Sequence, residues 1–167
     1  MLTIQCTKKL MDYIKKDIDQ LPDIQNNLYS WHAHLFIVQR KKYIIIMNNQ
    51  SRYNFVLGPL LKKDVKHLDE LIIDGIRDNL KADEIEQSMI DEYFKQMDEL
   101  SYTKTSERSI IGQINDCINY LEHFRNADGD LDLANINRRL NKFPMLKLPL
   151  GYSGRTMNNE LRERFSN

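Results

Sequence analysis

The sequence predicts an α+β fold: an antiparallel sheet of three to five strands, covered on one face by amphipathic helices. Three observations lead there. Residues 1–60 hold short β-branched and aromatic runs of period two, separated by turn residues. Residues 61–143 instead repeat apolar side chains every three or four positions. Gly and Pro together number only ten in 167 residues, too few for a loop-dominated chain.

Leu2-Thr3-Ile4-Gln5 alternates and reads as a short first strand. Leu10, Ile14, Ile18 and Leu21 form one helical stripe, with Thr7 as N-cap and Pro22 as stop. Period two returns from Leu28 to Val38. Trp31, Ala33, Leu35 and Ile37 share the face expected to be buried; Ser30, His32, His34 and Phe36 share the other. Tyr43–Met47 follows the basic turn Arg40-Lys41-Lys42. Tyr53–Leu57 follows the turn Asn48-Asn49-Gln50-Ser51 and ends at Gly58-Pro59. Short connections make these strands an antiparallel meander, of which only one face need be buried.

Val65, Leu68, Ile72, Ile76 and Leu80, with Asp64 at their start, predict the next helix; Ile85, Met89, Tyr93 and Met97 predict another. Leu100–Lys104 is strand-like and is assigned to a sheet edge. Ile110 or Ile111, Ile114, Cys117 or Ile118, and Leu121 predict a helix within 106–124, capped by Thr105 or Ser106. Leu133, Ile136 and Leu140 predict one more short helix. Pro144, Pro149, Gly151 and Gly154 predict an irregular tail over 144–167. No repeat or long linker divides the chain, so a single domain spanning 1–167 is expected: mainly β to residue 60, mainly α from 61 to 143.

Twenty-four basic and 24 acidic side chains cancel, which excludes a uniformly cationic nucleic-acid binder. The balance is local, not uniform. Residues 1–60 carry net +4, residues 61–100 net −6 and residues 101–167 net +2. The acidic stretch coincides with the helices expected over 64–98, whose solvated faces offer one docking surface for a protein partner. Cys6 and Cys117 have no metal-type spacing and read as buried thiols in a reducing cytoplasm, with a single bridge between them left open. The N-terminus lacks a signal-peptide core, and the longest apolar run, Tyr43–Met47, is far too short to span a bilayer. A cytoplasmic location with no membrane partner is expected.

Tyr29-Ser30-Trp31-His32-Ala33-His34-Leu35 is the densest chemical segment. On a strand, His32 and His34 project to one side about 6.5 Å apart, close enough to share acid–base work or contact one ligand. No carboxylate or third histidine stands at a telling spacing, so neither metal nor cofactor is expected. Arg52, after the Asn-rich turn, offers a guanidinium for phosphate or carboxylate. Lys104 and Arg108 flank a hydroxyl-rich helix start, a second anion-attracting feature that lacks the glycines of a phosphate-cradling loop. Asp128-Gly129-Asp130 resembles the opening of a calcium loop. Counted from Asp128, position six is Leu133 and position twelve is Arg139, which excludes it. Arg138, Arg139 and Lys142 form a basic cluster able to touch a phosphate backbone, though short clusters of this kind are common on solvated surfaces.

Five blocks carry a family resemblance: Cys6-Thr7-Lys8-Lys9-Leu10, Ser30-Trp31-His32-Ala33-His34-Leu35, Asn48-Asn49-Gln50-Ser51-Arg52-Tyr53, Thr103-Lys104-Thr105-Ser106-Glu107-Arg108-Ser109 and Asn137-Arg138-Arg139-Leu140-Asn141-Lys142-Phe143-Pro144-Met145. In these the chain resembles a family of small bacterial proteins grouped as a domain of unknown function. The resemblance implies a bacterial, cytoplasmic protein and supplies no activity, cofactor or catalytic residue. It also implies that Asn is common where this chain has His34, which disfavours schemes needing both histidines.

Three functions compete on these residues. The first is a binding or regulatory module in which Ser30, His32, His34, Arg52, Lys104 and Arg108 hold an anionic ligand, a nucleic acid or a partner protein. The second is a metal-independent phosphodiesterase or ribonuclease with His32 as its acid–base residue and Arg52 and Lys104 stabilising charge. The third docks a protein through helices 64–98.

Overall fold

β1 (Leu2–Cys6), β2 (Ser30–Val38), β3 (Lys41–Asn48), β4 (Asn54–Leu60) and β5 (Leu100–Lys104) form one sheet in the order β4-β3-β2-β1-β5. The computed structural model describes residues 1–18, 26–97, 99–105, 107–145 and 147–166. Leu21, Pro22 and Ser106, which the sequence reading used as helix signals, lie outside the described residues.

The meander β2-β3-β4 is antiparallel as expected, but β1 pairs parallel with both β2 and β5. The sheet is therefore mixed. Parallel neighbours need crossovers, and the helical segments supply them. α1 (Lys8–Ile14) leads from β1 toward β2; α2 (Leu68–Ala82) and α3 (Gln87–Lys95) lie between β4 and β5. α1 stops well short of the expected stripe because Lys15 turns into the left-handed region, φ 51°. β4 runs on through Gly58-Pro59 to Leu60 instead of ending there.

The helices cover both faces of the sheet, not one. Leu2, Ile4, Trp31, Ala33, Leu35, Ile44, Ile46 and Phe55 project to the first face. There they meet Leu10 and Ile14 of α1, the Leu68-Ile72-Ile76-Leu80 stripe of α2, and Met89, Ile90 and Tyr93 of α3. Phe36, Tyr43, Ile45, Met47 and Val56 project to the second face. There they meet α4 (Arg108–Leu121) and α5 (Leu133–Arg139) through Ile110, Ile114, Cys117, Leu121 and Ile136. The unbroken apolar run Tyr43–Met47 is what two-sided burial requires of a strand. Ile37, expected inside, is 49% exposed, because it lies beyond the last β1 pairing and opposes Lys42. Cys6 and Cys117 are free and sit on opposite faces, which closes the question of a bridge. Burial pushes both thiols up to about 12, so neither is a ready nucleophile.

The expected irregular tail holds α6 (Ser153–Phe165), which sends Met157 and Leu161 into the first-face core. Gly75 sets how closely α2 approaches β4: a Cβ there would lie 2.6 Å from the Phe55 ring.

The edge of β4 is closed by side chains. Asn137 Oδ1 accepts the Val56 N–H at 2.8 Å, and its Nδ2 donates to the Val56 carbonyl at 3.1 Å. One turn on, Asn141 does the same for Asn54, at 2.8 and 2.7 Å. Two amides four residues apart thus stand in for a neighbouring strand, which blunts an edge otherwise open to pairing. Arg138, between them, donates to the Asn79 carbonyl near the end of α2 and pairs with Asp83 at 3.1 Å. Arg138, one of the three basic side chains of the Arg138-Arg139-Lys142 cluster, is therefore used inside the fold.

Candidate functional site

Pleat alternation gives the second face two different halves. Across β3 and β4 it is apolar and packed by α4 and α5. Across β2, β1 and β5 it is polar, and its residues fall into rows. Ser30, Thr3 and Ser101 are register partners in one row; His32, Gln5 and Thr103 form the next. One pair further along, the Thr7 hydroxyl meets His34 Nδ1 at 2.8 Å, and the Thr105 N–H donates to the Cys6 carbonyl. Ser30, Thr3, Ser101, His32, Gln5 and Thr103 are all under 9% exposed. Exposed apolar residues are ordinary; buried polar ones demand a reason.

The hairpin joining β3 to β4 reaches over this face. Asn48 Oδ1 accepts the N–H groups of Gln50 and Ser51, which forms the turn and leaves Asn49 pointing at the sheet. The Asn49 amide nitrogen donates to Gln5 Oε1 at 2.6 Å, and its oxygen lies 2.7 Å from His32 Nδ1. That orientation puts the proton on Nδ1 and leaves Nε2 with its lone pair. Among the described residues Nε2 has no hydrogen-bond partner, although His32 is fully buried. Thr105 Oγ1 is a second buried polar atom with no partner at the same strand ends. Arg52, held at φ 63°, donates to the Asn49 carbonyl and faces Glu107, the residue that opens α4. Glu107 and Arg52 both lie within electrostatic reach of His32.

The structure brings Ser30, His32, His34 and Arg52 to this region. Lys104 is exposed and alternates with Thr103, so it belongs to the face away from His32. Arg108 is an exposed residue in the first turn of α4. Sequence reasoning passed over Gln5, Asn49, Thr103 and Glu107. For Gln5 and Thr103 the signal was the polar phase of Leu2–Cys6 and Leu100–Lys104, which means little until the parallel register aligns it with His32; Asn49 and Glu107, in a turn and at a helix start, carry no such phase. Thr7 takes the N-cap position of α1 as expected, but its hydroxyl makes no cap bond and lies 2.8 Å from His34 Nδ1 instead. Among the described residues no group of three or more His, Cys, Asp or Glu could hold a metal, and no helix is long and apolar enough to cross a membrane.

A family model described as Domain of unknown function (DUF6933) matches residues 3–154. The chain belongs to that family. The match takes in both strand ends, the Asn-rich hairpin and the start of α4, so the polar crevice lies wholly within the family's domain. No curated protein and no solved structure matches the chain.

Both imidazoles are held below the ordinary histidine value near 6.5, by burial first; on His32 the Asn49 hydrogen bond and Glu107 oppose the shift and Arg52 adds to it, and on His34 Lys9 adds to it. The unfolded chain therefore binds more protons below that value than the folded chain does. The stability from these neutral imidazoles is complete above about pH 6.5 and is lost as pH falls through the folded values. Melting curves taken from pH 7 to pH 5 should show Tm falling, and His32→Gln, which cannot titrate, should flatten the slope. An unchanged slope would mean that His32 is not held neutral.

Proposed function

We propose that the protein is a small binding module whose polar crevice recognises an anionic compound bearing a hydroxyl group. The observation that carries this reading is His32 Nε2, a fully buried acceptor without a partner whose ring is fixed by Asn49 and Gln5. Leaving such an atom unpaired costs about 1–3 kcal/mol, which a ligand hydroxyl would recover. Arg52 supports the anionic half of the ligand, since its guanidinium stands beside the same crevice, tempered by Glu107.

The enzymatic alternative has a specific observation in its favour. A neutral imidazole held in one tautomer, with Nε2 free, is the form a general base takes. In that reading His32 would deprotonate a ribose hydroxyl beside a phosphodiester, and Arg52 would stabilise the charge that develops on phosphorus oxygens. Docking through helices 64–98 has less support, because their apolar stripes are spent in the core. The exposed large apolar residues, Met1, Ile37, Leu61 and Leu150, are scattered along the chain.

Ribose 5-phosphate and a short RNA oligonucleotide separate these readings, with the 15N signals of His32 and product analysis as readouts. The module is expected to bind ribose 5-phosphate with a shift at Nε2, to bind at least about tenfold more weakly as His32→Ala, and to leave RNA intact. RNA cleavage that disappears in His32→Ala would make the protein an enzyme. No Nε2 response to either probe overturns both.

A further inference from the structure

A separate opening lies where α2, α5 and α6 come together. The end of α2, the residues around Arg138 and Lys142, and the first turns of α6 enclose a groove of about 740 Å³. Asp83 sits in its wall with its carboxylate already committed to the Tyr53 hydroxyl and to Arg138. Burial raises the Asp83 pKa, against the lowering pull of the Tyr53 hydrogen bond, Arg138 and Lys142.

The cations on the rim are not committed in that way. Lys142 and Arg155 line the groove, and among the described residues neither forms an ion pair with a carboxylate. Arg155 instead lies 5.1 Å from the Tyr152 ring, which orients its guanidinium without neutralising it. Glu84 is the acidic member of the lining, leaving the balance of Arg138, Lys142 and Arg155 against Asp83 and Glu84 positive. Tyr152 offers no side-chain acceptor to the first amides of α6, a 13-residue helix whose N-terminal end faces this lining. In the same lining the half-buried Asn158 holds a buried Oδ1 that has no partner among the described residues. Two cations without a carboxylate partner suit a phosphate, and an unpaired carbonyl suits a hydroxyl or N–H donor carried with it.

We propose that this groove binds a phosphate monoester, with its phosphate on Lys142 and Arg155 and a donor of its organic part on Asn158. The site is independent of the His32 crevice. It stands or falls without it.

Isothermal titration of the full chain with inorganic phosphate, glucose 6-phosphate and adenosine monophosphate tests it. Both esters should bind more tightly than inorganic phosphate, with affinity falling steeply as salt rises. The double variant Lys142→Gln, Arg155→Gln should lose at least about tenfold for the esters, and Lys142→Arg, Arg155→Lys should restore most of it. Both pairs are exposed, so melting curves matching the wild type are expected and identify a binding loss as local. Because the His32 crevice is itself proposed to take such compounds, the wild-type groove and the double variant are also compared in a His32→Ala background, where the esters should still bind and the double variant should still lose them. Undetectable ester binding by the wild type at millimolar concentration overturns the proposal. So does equal affinity of the double variant, or inorganic phosphate binding as tightly as either ester. Ester binding lost in His32→Ala but kept in the double variant would assign the phosphate to the crevice and also overturn it.

Discussion

Trp31→Ala is expected to lower the unfolding free energy by about 3–5 kcal/mol, read from the denaturant midpoint at constant slope. Trp31 is fully buried at the centre of the first-face core and meets Phe55 edge-on at 6.1 Å. Its indole N–H donates to the Tyr93 hydroxyl at 3.1 Å, and that hydroxyl donates to the Leu28 carbonyl at 2.8 Å. Removing the ring leaves a cavity and also takes one partner from Tyr93. Tyr93→Phe isolates the polar part. It strands the Trp31 N–H, leaves the Leu28 carbonyl with the Asn48 amide alone, keeps the ring stacked 4.4 Å from Tyr29, and should cost about 1–3 kcal/mol. A loss under about 1 kcal/mol for Trp31→Ala would mean that α3 does not pack as described.

The second large effect is at the β4 edge. Asn141 is 3% exposed and holds the Asn54 N–H and carbonyl, while its Oδ1 also accepts the Ser153 hydroxyl at 2.9 Å. Asn141→Ala leaves three groups without that partner and should cost about 3 kcal/mol or more, at about 1–3 kcal/mol for each group left buried and unpaired. Asn141→Asp should fare little better, since a carboxylate accepts but cannot donate to the Asn54 carbonyl. Adding Asn137→Ala also frees Val56. The double variant should then show concentration-dependent association by sedimentation, as an opened strand edge invites pairing. A double variant that stays monomeric and loses no stability would remove the amide ladder as an explanation of these residues.

Much of this fold was legible in hydrophobic periodicity. Leu68, Ile72, Ile76 and Leu80 gave α2, and the alternation of Trp31, Ala33 and Leu35 gave the buried phase of β2. Strand direction was not, because Leu2–Cys6 and Leu100–Lys104 read alike whether parallel or antiparallel. Burial of the second sheet face was encoded in the continuous Tyr43–Met47 run, which a meander exposed on one side would not need. α6 was obscured by composition: Met157 and Leu161 are a thin stripe in a charged segment that follows Pro149 and Gly151. His32 and Arg52 stand out in the sequence as reactive types, whereas Gln5, Asn49 and Glu107 gain meaning only from register and a hairpin that folds back. The sequence also exaggerated Lys104, because nothing local says that its neighbour Thr103 takes the crevice side.

The strand order has a kinetic consequence. β2, β3 and β4 meet through short turns and can pair while the rest of the chain is unformed. β1 is first in sequence yet sits between β2 and β5, and its Leu2 must wait for Leu100 to pair on its far side. Closing so long a loop is entropically slow compared with forming a hairpin. The row Thr103–Gln5–His32 is therefore completed by one of the last steps of folding, after the meander that carries His32 already exists. Ligand competence at that row should lag behind the appearance of secondary structure, and a chain halted before β5 would hold its histidine without the wall that gives it a purpose.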